Sequence, residues 1–263
     1  MPWLFFMYNF IIVGVGGTGS SFAKELVRFL SALKKPVATV TLIDGDVVEE
    51  KNLARQSFQM EDVGRNKAVA LAEALTEVFN FPVKAYPSYI TDSSQLLPLV
   101  TGCGDIPVVI GCVDNHRARQ VMHRMFDVTV WKNIEWHKAP ERLYYFDAAN
   151  EFSSGEVVFS SFSLRSTGKR ELTVVAPPRA AYFPEVLTDD SPDRTEISCE
   201  ELNSVSPQHI AANIMAANQL LIASCGLVLT GVAPEGIVYF DISTFSSIFH
   251  DAKEVVEWKK QKK

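Results

Sequence analysis

A glycine-rich turn near the start of the chain has the residue types and spacing that bind phosphate. Gly14, Gly16, Gly17 and Gly19 follow an apolar run, Phe10 to Val13, which is typical of a buried parallel strand. Apolar residues then recur at helical spacing, so we predict that a helix N-terminus points back at the turn. Glycine lets the backbone approach a phosphate closely, and the helix dipole favours its negative charge. These features predict a nucleotide-binding turn.

A second set of polar residues follows the next apolar run, residues 40–43. The run ends at Asp44, at the position where nucleotide-binding α/β domains carry an acid that binds ribose. A dinucleotide site does not need an Arg, an Asn and a Lys beyond this strand, whereas an ATP site needs positive charge around its leaving pyrophosphate. The residues of this second set are Asp44, Asp46, Asn52, Arg55, Gln56 and Lys67.

A third apolar run, residues 107–113, stops at Asp114. The carboxyl ends of parallel strands meet at one edge of a sheet, so Gly14, Asp44 and Asp114 are expected to converge there. A carboxylate at such a point can hold a metal ion against phosphates. The alternative is a structural role, in which Asp114 caps the helix that follows.

Three segments resemble the signature of the family of ThiF, MoeB, HesA and the ubiquitin-activating enzymes. Asp44 to Gln56 matches D-x-D-x-V-x-x-x-N-L-x-R-Q, Gly64 to Lys67 matches G-x-x-K, and Asp114 to Arg119 matches D-N-x-x-x-R. The resemblance implies ATP- and Mg²⁺-dependent adenylation of the C-terminal glycine of a ubiquitin-like or sulfur-carrier protein.

The same resemblance assigns roles to individual residues. Asp114 would hold Mg²⁺, and Arg55, Lys67 and Asp114 would be catalytic. ATP would be bound by the glycine turn and the second polar set, namely Gly14, Gly16, Gly17, Gly19, Asp44, Asp46, Asn52, Arg55, Gln56 and Lys67.

Cys199 is a further candidate. The four cysteines include no C-x-x-C pair, so the zinc site of several family members is not expected. The segment from Cys199 to His209 loosely resembles one in ubiquitin-activating enzymes, whose cysteine takes the activated partner as a thioester. The neighbouring Glu200 and Glu201 disfavour a thiolate, so a catalytic thiol and an inert loop cysteine both stay open.

The predicted fold is α/β, with a Rossmann-like, doubly wound and mostly parallel sheet and an antiparallel extension after the crossover. We expect a single domain over residues 1–263, with a mobile crossover loop around 177–205. Residues 143–150 and 155–160 are predicted strands. A helix over 210–228 is apolar on nearly all faces, which predicts that it is buried; by the resemblance, it lies in a homodimer interface.

The net charge and the first ten residues indicate which partners and which cellular location to expect. The net charge of −6 argues against a nucleic-acid surface, which shows as a basic excess. The apolar first ten residues have no basic export signal and are too short to span a bilayer. We therefore expect a cytoplasmic protein without membrane or nucleic-acid partners. By the resemblance, N-terminal helices can contribute an arginine to the partner subunit's ATP site; no basic residue precedes Lys24, so whether an arginine is supplied in trans stays open.

Two other functions stay open from the sequence. An NAD-dependent oxidoreductase would explain the glycines and Asp44, but it would leave Arg55, Lys67 and Asp114 without a role. The chain could also be the non-catalytic subunit of an activating-enzyme heterodimer. The complete set of motif residues argues against that second alternative.

Overall fold

A computed structural model describes residues 7–101, 105–135, 138–166, 170–188 and 209–253, without the side chains of residues 165, 166 and 170. Within these ranges, nine strands form one sheet. The strands are β1 (Tyr8–Val13), β2 (Ala38–Ile43), β3 (Val83–Tyr86), β4 (Ile106–Gly111), β5 (Arg142–Asn150), β6 (Ser154–Ser166), β7 (Arg170–Ala176), β8 (Gly236–Asp241) and β9 (Ser246–Asp251).

The sheet has a parallel part and an antiparallel part. Its order is β3-β2-β1-β4-β5-β6-β8-β9, and β7 also pairs with β6. The strands from β1 to β5 pair in parallel, while β6 to β9 pair antiparallel. The predicted α/β class with a mostly parallel sheet is confirmed. The antiparallel part begins at β6, before the predicted crossover loop, and continues after it in β8 and β9.

The described α-helices are α1 (Gly17–Ser31), α2 (Lys67–Phe79), α3 (Ser93–Val100), α4 (His116–His123) and α5 (Ile210–Thr230). Local chemistry sets several of their ends. The side chain of Asn66 accepts from the Val69 N–H at 3.1 Å and so caps the start of α2. Asn80 ends the same helix in the left-handed conformation, with φ of 49°.

Two apolar layers enclose the parallel strands. On one face α1, α2 and α5 pack against the sheet, and Phe10, Phe22 and Leu26 are fully buried there. On the other face α3 and α4 cover the sheet around the fully buried Trp131. Each large apolar side chain buried in this way contributes about 1.5–3 kcal/mol, so both layers hold the strand ends rigidly in place.

Within the single chain, the apolar helix predicted at 210–228 is buried on one side only, and the homodimer interface expected there stays a prediction. Its inner face, including Ala216 and Leu220, is buried against α1 and the sheet. Its outer face is exposed because nothing in the described chain covers that side; Ile222, for example, is 67% exposed. By length and composition alone α5 could also cross a membrane, a test that core helices pass as well.

The predicted crossover loop at 177–205 is described only at its beginning. There the chain makes two short 3-10 turns, Arg179–Ala181 and Pro184–Leu187. The Ser160 hydroxyl donates to the Pro177 carbonyl at 2.9 Å, which holds the start of the loop against β6. Residues 189–205, including Cys199, lie outside the described part of the chain, so the predicted mobility stays a prediction.

Candidate functional site

The glycine turn and the two acidic strand ends lie along one edge of the sheet. Val13, the last residue of β1, is in register with Ile43 of β2 and Gly111 of β4. The Gly14 N–H donates to the Ile43 carbonyl at 2.9 Å, and the Cys112 N–H donates to the Val13 carbonyl at 2.8 Å. The turn therefore sits between the strand that leads to Asp44 and the strand that leads to Asp114.

Close packing explains two glycines of the turn. Gly14 has φ of +86°, and a Cβ there would lie 2.7 Å from the Cys112 carbonyl oxygen. A Cβ on Gly19 would lie 1.9 Å from the Gly14 carbonyl oxygen. Because α1 begins at Gly17 and meets the turn this closely, backbone N–H groups of its first turn line the edge of the sheet.

Asp44 joins the turn to the second strand. Its Oδ2 accepts from the Val15 N–H at 2.7 Å, and its Oδ1 accepts from the Asp46 N–H at 2.8 Å. Burial raises the pKa of the Asp44 carboxyl, and the nearby Asp46 raises it further. The carboxylate is half-buried at the carboxyl end of β2, the position from which a ribose hydroxyl is bound in this class of fold.

Lys67 forms an ion pair with Asp46. The residue is only 7% exposed, and its Nζ lies 2.8 Å from Asp46 Oδ2. Burial raises the pKa of Asp46, but the Lys67 ammonium and hydrogen bonds from Lys67 and Tyr89 outweigh it and lower that pKa. A lysine at a helix start opposes the helix dipole, and the Asp46 carboxylate offsets this unfavourable position of Lys67.

Replacing Lys67 with methionine should lower stability by an amount that depends on pH. The pKa of Asp46 is lowered in the folded state, so its carboxylate stabilises the fold above an unfolded pKa of about 4. That contribution is lost as pH falls through the folded pKa. In urea denaturation, the gap between wild type and Lys67→Met should stay full at pH 5–7 and narrow below about pH 4.

The control for this measurement is Lys24→Met, which removes an exposed lysine of α1. Its stability difference from wild type should change little with pH over the same range. A Lys67→Met gap that widens on acidification would contradict the assigned ion pair.

The segment from Asn52 to Ser57 presents Arg55 and Gln56. The amide oxygen of Asn52 accepts from the Glu49 N–H at 3.0 Å, so Asn52 shapes the turn that carries the other two side chains. The Ser57 N–H donates to the hydroxyl of Ser20 on α1 at 3.1 Å. Gln56 Oε1 is buried without a partner among the described residues.

A pocket of about 390 Å³ opens beside Arg55 and Gln56. It lies between α1, the 53–57 segment and the first half of α5, where Ile210, Ile214 and Asn218 line it. The pocket adjoins the exposed apolar side of α5. An exposed apolar surface of this kind is typical of an interface.

Asp114 is exposed beyond the carboxyl end of β4. The alternative role considered for it, capping the next helix, belongs to Asn115, whose Oδ1 accepts from the Ala118 N–H at 2.8 Å. Among the described residues no three His, Cys, Asp or Glu side chains gather to hold a metal by themselves. The Asp114 carboxylate at this edge fits Mg²⁺, which proteins often bind through one or two carboxylates together with substrate phosphates.

Sequence reasoning missed a buried charge network beneath Asp114. Asp147 of β5 has no exposed surface, and its Oδ2 accepts from Arg179 Nε at 2.6 Å. Arg119 Nε lies 3.4 Å from Asp147 Oδ1, and its Nη2 donates to the Val113 carbonyl at 2.6 Å. Glu156 accepts from Arg179 Nη1 at 2.6 Å. The charged Asp147 within an apolar strand was the available signal for this network.

A second missed group lies on the other side of the glycine turn. Thr18 at the start of α1, Asn150 at the end of β5 and Asn213 near the start of α5 bond to one another. A single uncharged polar residue in an apolar or loop segment does not indicate from the sequence that it takes part in a buried hydrogen-bond cluster. Only the packing of α5 against α1 brings them together.

The structure describes Cys112 but neither Cys103 nor Cys199. Cys112 follows β4 and packs against the core, and burial raises the pKa of its thiol, as expected for an inert cysteine. Cys103 and Cys199 lie outside the described residues. The thioester role of Cys199 therefore stays a prediction.

A family model described as the ThiF family matches residues 6–254. The chain belongs to the ThiF family. One relative is ubiquitin-like modifier-activating enzyme 5 of Arabidopsis thaliana, 28% identical over 130 residues, which cover 44% of this chain and 29% of that protein. Another is the adenylyltransferase and sulfurtransferase uba4 of Emericella nidulans, 31% identical over 115 residues, which cover 43% and 22%.

Solved structures show the same fold. The Escherichia coli microcin C7 biosynthetic enzyme MccB, in a complex with N-formylated MccA, superposes with a TM-score of 0.61 at 16% identity. That match covers 93% of this chain and 64% of MccB. This ThiF-family chain thus spans 22–29% of the two curated relatives and under two thirds of the structural one.

Proposed function

We propose that this chain uses Mg·ATP to adenylate the C-terminal carboxylate of a polypeptide, with the C-terminal glycine of a ubiquitin-like or sulfur-carrier protein as the substrate. The observation that carries the proposal is the meeting of the glycine turn, Asp44 and the Asp114 segment at one edge of three neighbouring parallel strands. Membership of the ThiF family supports it.

Each residue at this edge of the sheet would have a role that follows from its position. The glycine turn and the start of α1 would hold the phosphates through backbone N–H groups. Asp44 would bind the ribose. Arg55 and Lys67 would face the negative charge that builds on the leaving pyrophosphate, supported by Asn52 and Gln56. Lys67 would then exchange part of its contact with Asp46 for contact with phosphate.

Asp114 would hold Mg²⁺ together with the phosphates. When bound, the metal neutralises phosphate charge and polarises the phosphoryl group that is attacked. The carboxylate of Asp114 would hold that ion at the end of β4. Arg119 helps to fix the position of Asp114, since its side chain donates a hydrogen bond to the carbonyl of Val113, the residue before Asp114.

Three further assignments stay proposals. Cys199 would accept the acyl group as a thioester after adenylation. A homodimer would cover the exposed face of α5 and the adjoining pocket, and a concentration-independent monomer in light scattering would contradict it. A cytoplasmic location, without membrane or nucleic-acid partners, stays a prediction from composition.

Calorimetric titration of the wild type tests the nucleotide assignment. We expect ATP to bind at least about 10-fold more tightly with Mg²⁺ than without, because Asp114 would hold the metal, which would neutralise phosphate charge. NAD and NADH should bind much more weakly than Mg·ATP, because the charged groups beyond β2 are arranged for a polyphosphate.

The opposite result would return the chain to the oxidoreductase alternative. Tight NAD or NADH binding with no response to ATP would remove the roles proposed for Arg55, Lys67 and Asp114. Binding of neither nucleotide would favour the non-catalytic subunit.

A further inference from the structure

Three polar side chains form a small cluster beside the glycine turn, on the side away from Asp44. Thr18 is the second residue of α1, Asn150 ends β5, and Asn213 lies in the first turn of α5. The Thr18 hydroxyl donates to Asn150 Oδ1 at 3.1 Å, and Asn150 Nδ2 donates to Asn213 Oδ1 at 2.9 Å. These bonds fix the orientation of the Asn213 amide.

The amide nitrogen of Asn213 has no hydrogen-bond partner among the described residues, although the residue is only 1% exposed. It points at the start of α1, since a Cβ on Gly17 would lie 2.2 Å from this nitrogen. Buried N–H groups almost always have partners, because an unpaired one lowers stability. The chain therefore keeps a costly donor next to its phosphate-binding turn.

The N-termini of α1 and α5 lie beside the Asn213 amide, and both contribute positive partial charge there. Tyr8, at the far end of β1, donates to the carbonyl of Leu227 near the end of α5, while Asn213 lies at the helix start beside Gly17. The two helices therefore run in the same direction, and both positive dipole ends lie at this edge. A group that satisfies Asn213 here must accept hydrogen bonds, and an anionic oxygen is favoured.

We propose that the side-chain amide of Asn213 binds the terminal carboxylate of the polypeptide that is adenylated. The proposal rests on the function proposed above and names the residue that recognises the second substrate. The nucleotide groups Asp44, Asp46 and Lys67 follow β2, on one side of the glycine turn, whereas Asn150 ends β5 on the other. The acyl substrate would approach from the β5 side.

In the reaction, one carboxylate oxygen attacks the α-phosphorus and forms the new O–P bond. The bond from the α-phosphorus to the bridging oxygen breaks, and pyrophosphate leaves with that electron pair; no proton is transferred. Asn213 donates to the other carboxylate oxygen and so holds the attacking one in place. Asn150 and Thr18 act through Asn213 as positioning residues.

Two ligands that differ only in a glycyl group test this assignment. Adenosine 5′-sulfamate carries the nucleoside part, and 5′-O-(N-glycylsulfamoyl)adenosine adds the acyl oxygen that Asn213 would bind. We expect the wild type to bind the glycyl compound at least about 10-fold more tightly in calorimetry. In Asn213→Leu this preference should fall about 10-fold, while ATP affinity changes less than about 3-fold.

Thermal melting separates binding from structure. Asn213→Leu removes the unpaired donor but also the oxygen to which Asn150 donates, so its Tm without ligand must show that the variant is folded at the titration temperature. Thr230→Leu, at an exposed position at the other end of the same helix, is the control and should keep the ligand preference. Asn213→Asp keeps the shape and the oxygen but replaces the donor with an acceptor, and it should lose the preference as well.

Either of two results would overturn the proposal: a wild type with no preference for the glycyl compound, or position-213 variants that fold and keep it. A wild type that binds ATP but shows no glycyl preference leaves the nucleotide assignment standing. A wild type that binds no nucleotide refutes the proposed function itself.

Discussion

Replacing Arg179 with methionine is expected to destabilise the folded chain by about 3–5 kcal/mol. Arg179 is 4% exposed and bonds Asp147, which is completely buried, at 2.6 Å. Methionine fills similar space but removes the nearest cation from the Asp147 carboxylate, since Arg119 Nε lies farther away, at 3.4 Å. Removing one member of a buried ion pair costs far more than an exposed pair contributes, because the remaining charge stays away from water.

Urea denaturation of wild type and variant measures this cost. Arg124→Met is the matched control, since the Arg124 side chain is 64% exposed and lies 3.9 Å from Asp92. The control should lose less than about 1 kcal/mol. Equal losses for the two variants would show that Asp147 is not held by Arg179 in the way described.

Replacing Asp114 with alanine is expected to lower ATP–pyrophosphate exchange by about 100-fold or more. The carboxylate is the proposed protein ligand of Mg²⁺, so its removal should also abolish the Mg²⁺ dependence of ATP binding. Stability should hardly change, because Asp114 is exposed and Asn115 caps α4.

The control is Asp105→Ala, which removes a carboxylate at the opposite end of the same strand. Asp105 precedes β4 and so lies at the edge of the sheet away from the glycine turn. Its variant should keep exchange activity. Full exchange by Asp114→Ala would show that the metal assignment is wrong.

The two predictions are connected through the structure. Arg179 and Arg119 both contact Asp147, and Arg119 in turn bonds the Val113 carbonyl immediately before Asp114. Gly111 of β4 leaves space for the Asp147 carboxylate, because a Cβ on Gly111 would lie 3.0 Å from Asp147 Oδ1. Loss of Arg179 should therefore loosen the support of the proposed metal site as well as the fold.

The sequence by itself determined the parallel strands and the position of the glycine turn. Apolar runs that end in Gly14, Asp44 or beside Asp114 are short-range patterns, and the rule that carboxyl ends of parallel strands meet places these residues at one edge. The same locality limits what the sequence says about α5: a 21-residue apolar pattern shows that a helix is present, but not which of its faces a neighbour covers.

Only the tertiary structure decided which polar side chains meet. Arg179 and Asp147 are 32 residues apart, Asn150 and Asn213 are 63 apart, and Thr18 and Asn213 are 195 apart. No local periodicity encodes such pairs, because each depends on how separate helices and strands pack together. Asp46 likewise became the partner of Lys67 only when the chain folded back between β2 and α2. Burial removes water from these groups. The geometry of their remaining partners therefore sets how much each buried group lowers or raises stability and how strongly its hydrogen bonds and charges interact.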